Sequence, residues 1–458
     1  MSRLVVVSNR VALPGENRAG GLAVGLLAAL KERGGLWFGW SGKVTKEAHG
    51  SVRHLREDGI EFATVDLARE DYEAYYNGFA NRTLWPLLHF RLDLVDYDRS
   101  RLEGYRRVNA LFADRLLPLL GESDTVWIHD YHLIPLAALL RERGFGGRIG
   151  FFLHVPMPSA DLVAALPDHQ RLFGTLYSCD LVGFQTVRDA GRFQDYVRLF
   201  GGGRVLGEGL VEAPGGRRLR VGAFPIGIDT AGIARQSAAA VSRPAVRDLR
   251  TSLRGRLLAI GVDRLDYSKG LPERFNGFNR YLQRHREQRG GMTLLQIAPV
   301  SRGEVVEYRQ LRNELEQLAG HINGTWAEPD WTPIRYVNRN FGHATLTGFY
   351  RAARVGLITP LRDGMNLVAK EYVAAQDPAD PGVLVLSLMA GAVFELEQAL
   401  VVNPYDPDGM ADAIANAATM SRDKRVERWQ AMMEHLRRHD INAWRRDYLQ
   451  ALERTPTS

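Results

Sequence analysis

The 458-residue sequence has a single cysteine, Cys179, so it can form neither an internal disulfide nor a thiolate metal cage. Such sparse cysteine fits a reducing cytosol. No apolar run approaches the ~18 residues of a membrane-spanning helix. The amino-terminal Leu4–Val7 is too short for a signal-peptide core, and Asn9 and Arg10 follow it at once. A cytoplasmic chain with no membrane partner is therefore expected. Runs of Lys or Arg are also missing, as is any interleaving of basic and aromatic residues. The 59 basic and 53 acidic residues leave a net charge of +6, scattered over predicted helices. That pattern argues against a nucleic-acid partner and suits basic clefts for phosphorylated small molecules. Internal repeats and low-complexity tracts are absent.

What is present is a recurring unit. Short apolar runs, each followed by a helical pattern, begin at Leu4, Thr125, Ile149, Leu181 and Val221, and again at Leu257, Thr293, Ile334, Val355, Val383 and Leu400. Runs of this length without alternation predict strands buried on both faces, and alternation with helices predicts parallel βαβ units. Two such series predict an α/β chain of two doubly wound, Rossmann-like domains. The Gly/Pro/Ala-rich stretch from Gly201 to Pro244 separates them, placing an N-terminal domain at 1–229 and a second at 230–440. The charged amphipathic remainder, 441–458, reads as a helix. Ligands of doubly wound sheets bind beyond the carboxyl ends of the strands, so a cleft between the two domains is expected there.

The residues at those ends are rich in chemistry. Arg10 closes the first strand as part of Ser8-Asn9-Arg10, and Gly20-Gly21 then opens an apolar helix, where backbone N–H groups suit an anion. His129-Asp130-Tyr131-His132 and His154 follow the next strands. The histidine spacing lies at strand ends rather than on one helix face, which disfavours a metal site. Tyr75-Tyr76 and Trp85 offer aromatic faces for a sugar. In the second half, Arg264 and Lys269 follow the strand at Leu257 and are placed to clamp a diphosphate. Arg302 repeats the pattern one strand later. Thr359–Glu371 ends a strand, turns at Gly364 and starts a helix, with Asp363 suited to sugar hydroxyls and Glu371 to a ribose. Asp96-Tyr97-Asp98 has the spacing of a D-x-D metal motif, a triplet common by chance.

These residues sit in longer strings: SNR, AGGLAVG, YYNGFANRTLWP, WIHDYHL, FFLHVPMP, DRLDYSKGLPERF, IAPVSRGEV and LRDGMNLVAKEYVAAQ. In that order, they make the chain resemble the trehalose-6-phosphate synthases, the retaining nucleotide-sugar glycosyltransferases of family 20. The resemblance implies a GT-B fold, with the first domain taking glucose 6-phosphate, the second UDP-glucose, and the C-terminal helix crossing back to the first. It implies that Arg10 and Arg302 hold the acceptor phosphate beside Tyr76 and Trp85, and that Asp130 binds acceptor hydroxyls. Gly20 and Gly21 would close over the donor phosphates, which Arg264 and Lys269 would neutralise. His154 and Asp363 would hold the donor glucose. Leu367, Val368, Ala369, Lys370 and Glu371 would hold the nucleotide, and Phe341 would line the base pocket. Two residues after Phe341, where relatives often carry a basic group for the acceptor phosphate, this chain has His343, with Arg339 close in sequence.

Double displacement needs a carboxylate nucleophile, and Asp130 and Asp363 have better roles on hydroxyls. The resemblance implies front-face attack, with the departing phosphate taking the acceptor proton. That route requires no metal and no cofactor, UDP-glucose being a co-substrate. A homo-oligomer, dimer or tetramer, is expected from exposed helical faces. The alternatives are a synthase of the same fold with another acceptor, such as glycerol 3-phosphate, and a catalytically silent sugar-phosphate-binding regulator.

Overall fold

A computed structural model describes residues 3–14, 21–46, 51–300 and 306–455. The chain forms two compact units. Unit 1 comprises Met1–Ile226 together with Asn442–Ser458, and unit 2 comprises Gly227–Ile441. The breaks thus fall three residues before Asp229 and one residue after 441.

Among the described residues, unit 1 holds a ten-stranded sheet. Its strands are β1 (Leu4–Arg10), β2 (Gly35–Thr45), β3 (Arg53–Glu57), β4 (Ile60–Ala68), β5 (Thr125–His129), β6 (Arg148–Leu153), β7 (Leu181–Phe184), β8 (Arg204–Gly207), β9 (Leu210–Glu212) and β10 (Arg218–Ala223). Their order is β3-β4-β2-β1-β5-β6-β7-β10-β9-β8. The seven strands from β4 to β10 pair in parallel, and β3, β9 and β8 pair antiparallel at the two edges. The apolar stretch Leu4–Val7 is buried, as expected for a strand covered on both faces. The strands β2, β3 and β4 escape the sequence reading. Gly, Trp, Lys and Asp interrupt β2 and β4, and β3 is exposed throughout, so none carries a clean buried-strand signal.

The helix Ile441–Arg454 returns to this sheet. Tyr448 stacks on Trp127 of β5 with ring centroids 4.7 Å apart and donates a hydrogen bond to the Phe151 carbonyl at 3.0 Å. Gly150 and Gly183 make room for it, since a β-carbon at either would lie 2.6 Å from the Tyr448 ring or hydroxyl. This close approach explains glycine in two buried strands where a β-branched residue would otherwise be favoured.

Unit 2 holds a six-stranded, all-parallel sheet among the described residues: β11 (Leu257–Val262), β12 (Met292–Ile297), β13 (Ile334–Val337), β14 (Val355–Ile358), β15 (Val383–Ser387) and β16 (Leu400–Val402). Their order is β13-β12-β11-β14-β15-β16. The reversal at β11 is the point where doubly wound sheets bind ligands. One side of the sheet is closed by Phe275, Phe278, Leu282, Leu315, Ile322 and Met410. Among the described residues no helix is long and apolar enough to cross a membrane.

The C-terminal helix is integral to unit 1, which makes Tyr448→Ala a test. Loss of a fully buried, stacked aromatic ring should lower the stability of unit 1 by about 3–5 kcal/mol. Urea unfolding followed by intrinsic tryptophan fluorescence checks it, and an unchanged midpoint would show that the helix packs without holding the sheet.

Candidate functional site

In unit 1 the candidate residues collect beyond the carboxyl ends of β1, β5 and β6. Arg10 ends β1 exposed, and its guanidinium lies against Gly42, where a β-carbon would come within 2.8 Å of it. The loop is held from below: Trp37 Nε1 donates to Ser8 Oγ at 2.8 Å, Ser8 Oγ donates to the Arg10 carbonyl at 2.8 Å, and the Tyr75 hydroxyl donates to Asn9 Oδ1 at 2.8 Å. Tyr75 and Tyr76 lie on a π-helix, Tyr72–Leu84, a rare winding that recurs at functional sites. The Tyr76 ring sits 5.8 Å from Trp40 and 5.8 Å from His132, stacked on the latter at 13°. Trp85 is buried and packs on Tyr131 at 5.7 Å. The structure therefore groups Arg10, Tyr76, Asp130 and Trp85 around the strand ends, and adds Trp40 and His132. Trp40 went unread because its strand was not recognised.

Asp130 has φ 76° and ψ 167°, a backbone region that side chains other than glycine rarely enter. Its N–H donates to the Phe152 carbonyl at 2.8 Å and its Oδ1 accepts from His154 N–H at 3.2 Å. These bonds hold the strained turn, aimed away from the path a relaxed residue would take. Burial pulls the His154 imidazole down to about 3 and holds His129 well below the ordinary range, so both rings are neutral.

In unit 2 the loops after β11 and β14 are stitched together. Leu361 and Arg362 N–H both donate to the Ser268 carbonyl, at 2.9 and 3.2 Å. Lys269 Nζ pairs with Asp363 Oδ2 at 2.5 Å, and Asn366 Nδ2 donates to the same oxygen at 3.0 Å. Asn366 is left-handed, φ 73°, and caps the helix Leu367–Ala375 by accepting from Ala369 N–H at 3.2 Å. The first N–H groups of that helix have no carbonyl of their own helix to bond, and favour an anion. Gly391 lets the loop close, for a β-carbon there would lie 1.9 Å from the Gly364 carbonyl. Arg264 stands exposed in the same loop as Lys269. Phe341 lies on another loop, edge-on to Phe349 at 5.3 Å, with the Arg339 guanidinium 4.8 Å from its centre. His343 begins the next helix with Nδ1 2.6 Å from Gln236 Oε1.

Beneath these loops lies a residue that sequence reasoning passed over. Arg274 is fully buried and reaches Asp263 Oδ2 at 2.5 Å, Gln296 Oε1 at 2.8 Å and Thr359 Oγ1 at 3.1 Å. It ties the ends of β11, β12 and β14 with one guanidinium. Lys370 is fully buried and paired with Glu395 at 2.6 Å, so its side chain serves the interior. Burial pushes the Glu371 carboxyl up to about 7. Gly20 and Arg302 lie outside the described residues, and Gly21 begins the helix Gly21–Arg33. Asp96 and Asp98 are committed to structure: Asp96 pairs with Arg101 at 2.5 Å, and Asp98 caps the helix Arg99–Leu116 by accepting from Ser100 and Arg101 N–H.

The profile of glycosyltransferase family 20 matches residues 5–454. The chain belongs to glycosyltransferase family 20. It is accordingly an enzyme, a glycosyltransferase of the GT-B fold. It is 50% identical over 457 residues to the trehalose-6-phosphate synthase of Sinorhizobium fredii, covering 99% of this chain and 98% of that one. A solved alpha,alpha-trehalose-phosphate synthase (UDP-forming) from Burkholderia xenovorans, in complex with glucose-6-phosphate, is 48% identical. It superposes with a TM-score of 0.95 over 99% of this chain and 100% of that one. An E. coli structure bound with UDP-2-fluoro glucose is 47% identical with a TM-score of 0.96, covering both chains completely.

The family 20 chain offers a test at Glu371 that needs no ligand. A carboxyl whose native pKa is raised stabilises the fold below its unfolded value and loses that contribution as pH rises to the native value. Glu371→Gln cannot ionise. The unfolding free energy of this variant relative to the parent should therefore rise between about pH 4.5 and about pH 7 and stay level above. Urea titrations across that range check this, and a difference that does not change with pH would contradict it.

Proposed function

We propose that this chain transfers glucose from UDP-glucose to glucose 6-phosphate with retention, giving alpha,alpha-trehalose 6-phosphate and UDP. The observation that carries the reading is the Lys269–Asp363–Asn366 clamp at the head of the helix Leu367–Ala375, with Arg264 beside it. A cation, a carboxylate and a helix N-terminus converge where a glycosyl diphosphate needs each of them. The relatives bound with UDP-2-fluoro glucose and with glucose-6-phosphate support donor and acceptor alike.

In this reading Arg264, Lys269 and the N–H groups of Leu367 and Val368 neutralise the diphosphate as it departs. Gly20 and Gly21 close over it, and Ala369 and Lys370 contribute backbone to the nucleotide site. Glu371 accepts from the ribose hydroxyls, and Phe341 packs against the base. Asp363 and His154 hold the donor glucose. Arg10 and Arg302 hold the acceptor phosphate, Tyr76 and Trp85 border that sugar, and Asp130 takes its hydroxyls. The departing phosphate oxygen takes the proton of the attacking hydroxyl on the same face, so no residue acts as nucleophile. The route uses neither metal nor cofactor. A cytoplasmic location and a homo-oligomeric assembly belong to the same proposal, supported by the chain's single, buried cysteine and its exposed helical faces.

The experiment is turnover of the purified chain with UDP-glucose and glucose 6-phosphate in the presence of a chelator. The product is identified by mass and by phosphatase release of a non-reducing disaccharide. Arg264→Ala or Lys269→Ala should lower kcat by about 10²–10³-fold, the usual effect of removing a group that stabilises a leaving charge. Turnover only with glycerol 3-phosphate would keep the donor site and overturn the acceptor. No UDP release with any acceptor would favour the silent regulator.

A further inference from the structure

Three residues at the ends of three adjacent strands form a row whose hydrogen positions the structure dictates. His129 ends β5, His154 follows β6 and Gln185 follows β7. Gln185 is buried, and its Oε1 accepts from Ile226 N–H at 3.0 Å. A backbone N–H can only donate, so this bond decides which end of the amide is oxygen. The other end, Nε2, must donate, and it lies 3.3 Å from His154 Nδ1. That nitrogen is therefore the bare, accepting one. The remaining nitrogen, Nε2, carries the hydrogen and lies 3.0 Å from His129 Nδ1, which accepts it. His129, neutral as well, then carries its own hydrogen on Nε2. Burial of both rings keeps a second hydrogen off either of them.

We propose that Gln185 is a positioning residue that fixes the tautomer of His154, so that the ring meets the donor sugar with a hydrogen to give at Nε2 and never as a base. The functional half of this rests on His154 holding the donor glucose, as proposed above. His129 Nδ1 takes that hydrogen when no sugar is present, and a sugar oxygen competes for it when one is. The arrangement explains a buried amide beside a sugar-binding ring: an uncommitted imidazole would divide between two tautomers, and only one offers Nε2–H. It also removes His154 from the candidates for proton abstraction, because its only lone pair faces Gln185.

The tautomer is read directly from long-range proton–nitrogen NMR correlations of the full-length chain labelled at its histidine nitrogens. His154 is assigned by the signal lost in His154→Asn. At about pH 7 the parent should show a bare Nδ1 and a protonated Nε2 at His154. Gln185→Glu has the same shape but can only accept when ionised, so it should move the hydrogen to Nδ1. It should also raise KM for UDP-glucose by about tenfold, the worth of one good hydrogen bond, and leave KM for glucose 6-phosphate unchanged. A protonated Nδ1 or a charged ring in the parent would overturn the proposal. So would Gln185→Glu with the parent's tautomer, or with both KM values raised together. The expected tautomer in a parent that releases no UDP from UDP-glucose would instead overturn the functional reading and leave the tautomer assignment standing.

Discussion

Parallel pairing brings all the strands of a sheet to an end on one edge, and there the chain must turn, expose backbone groups and find partners for them. In both units, polar side chains reach across several strand ends and tie them together. In unit 2, Arg274 bonds Asp263, Gln296 and Thr359, one residue from the end of each of three strands. Burial raises the Asp263 carboxyl, and Arg274 opposes the shift. Removing either partner would leave an uncompensated buried charge, the most damaging kind of polar loss. In unit 1, His129, His154 and Gln185 do the same work with neutral groups. The chemistry that follows each strand is supported from beneath by these rows.

The same edge stores strain. Asp130 in unit 1 and Asn366 in unit 2 are non-glycine residues with φ of 76° and 73°. Each costs of order 1–3 kcal/mol in a free chain. Each is held by two bonds: Asp130 to Phe152 and His154 at the end of the adjacent strand, Asn366 to Asp363 in its own loop and Ala369 in the helix it caps. Strain compensated in this way leaves a carboxylate or a helix N-terminus in one orientation before any ligand arrives. That is the physical content of preorganisation: charges and dipoles are held in place before the ligand arrives.

Much of this was legible in the sequence. Most of the parallel strands, β2 and β4 excepted, showed as short apolar runs, and the loops after β11 and β14 showed as Arg264, Lys269 and Asp363 beside Gly turns. Lys269 and Asp363, 94 positions apart in the chain, do meet. What was not legible has physical causes. Trp40 rides on a strand whose Gly, Trp and Lys content hides its period. Arg274 lies in the helix Leu271–Arg284, where an Arg ordinarily faces solvent; only its three partners, 11, 22 and 85 positions away, show that it does not. Lys370, which the resemblance puts at the nucleotide, turns its side chain inward to Glu395. Sequence spacing reports which residues share a loop. It does not report which way a long side chain runs.

In the function proposed above, the strand ends of unit 2 carry most contacts to the nucleotide and those of unit 1 most contacts to the sugar phosphate. Amide hydrogen exchange of the full chain with UDP alone, and with glucose 6-phosphate alone, tests it most directly. UDP should slow exchange in the segments 264–270 and 363–371. Glucose 6-phosphate should slow it around 8–10, 76–85 and 130–132. Protection of the same segments by both ligands, or the reverse assignment, would contradict the account.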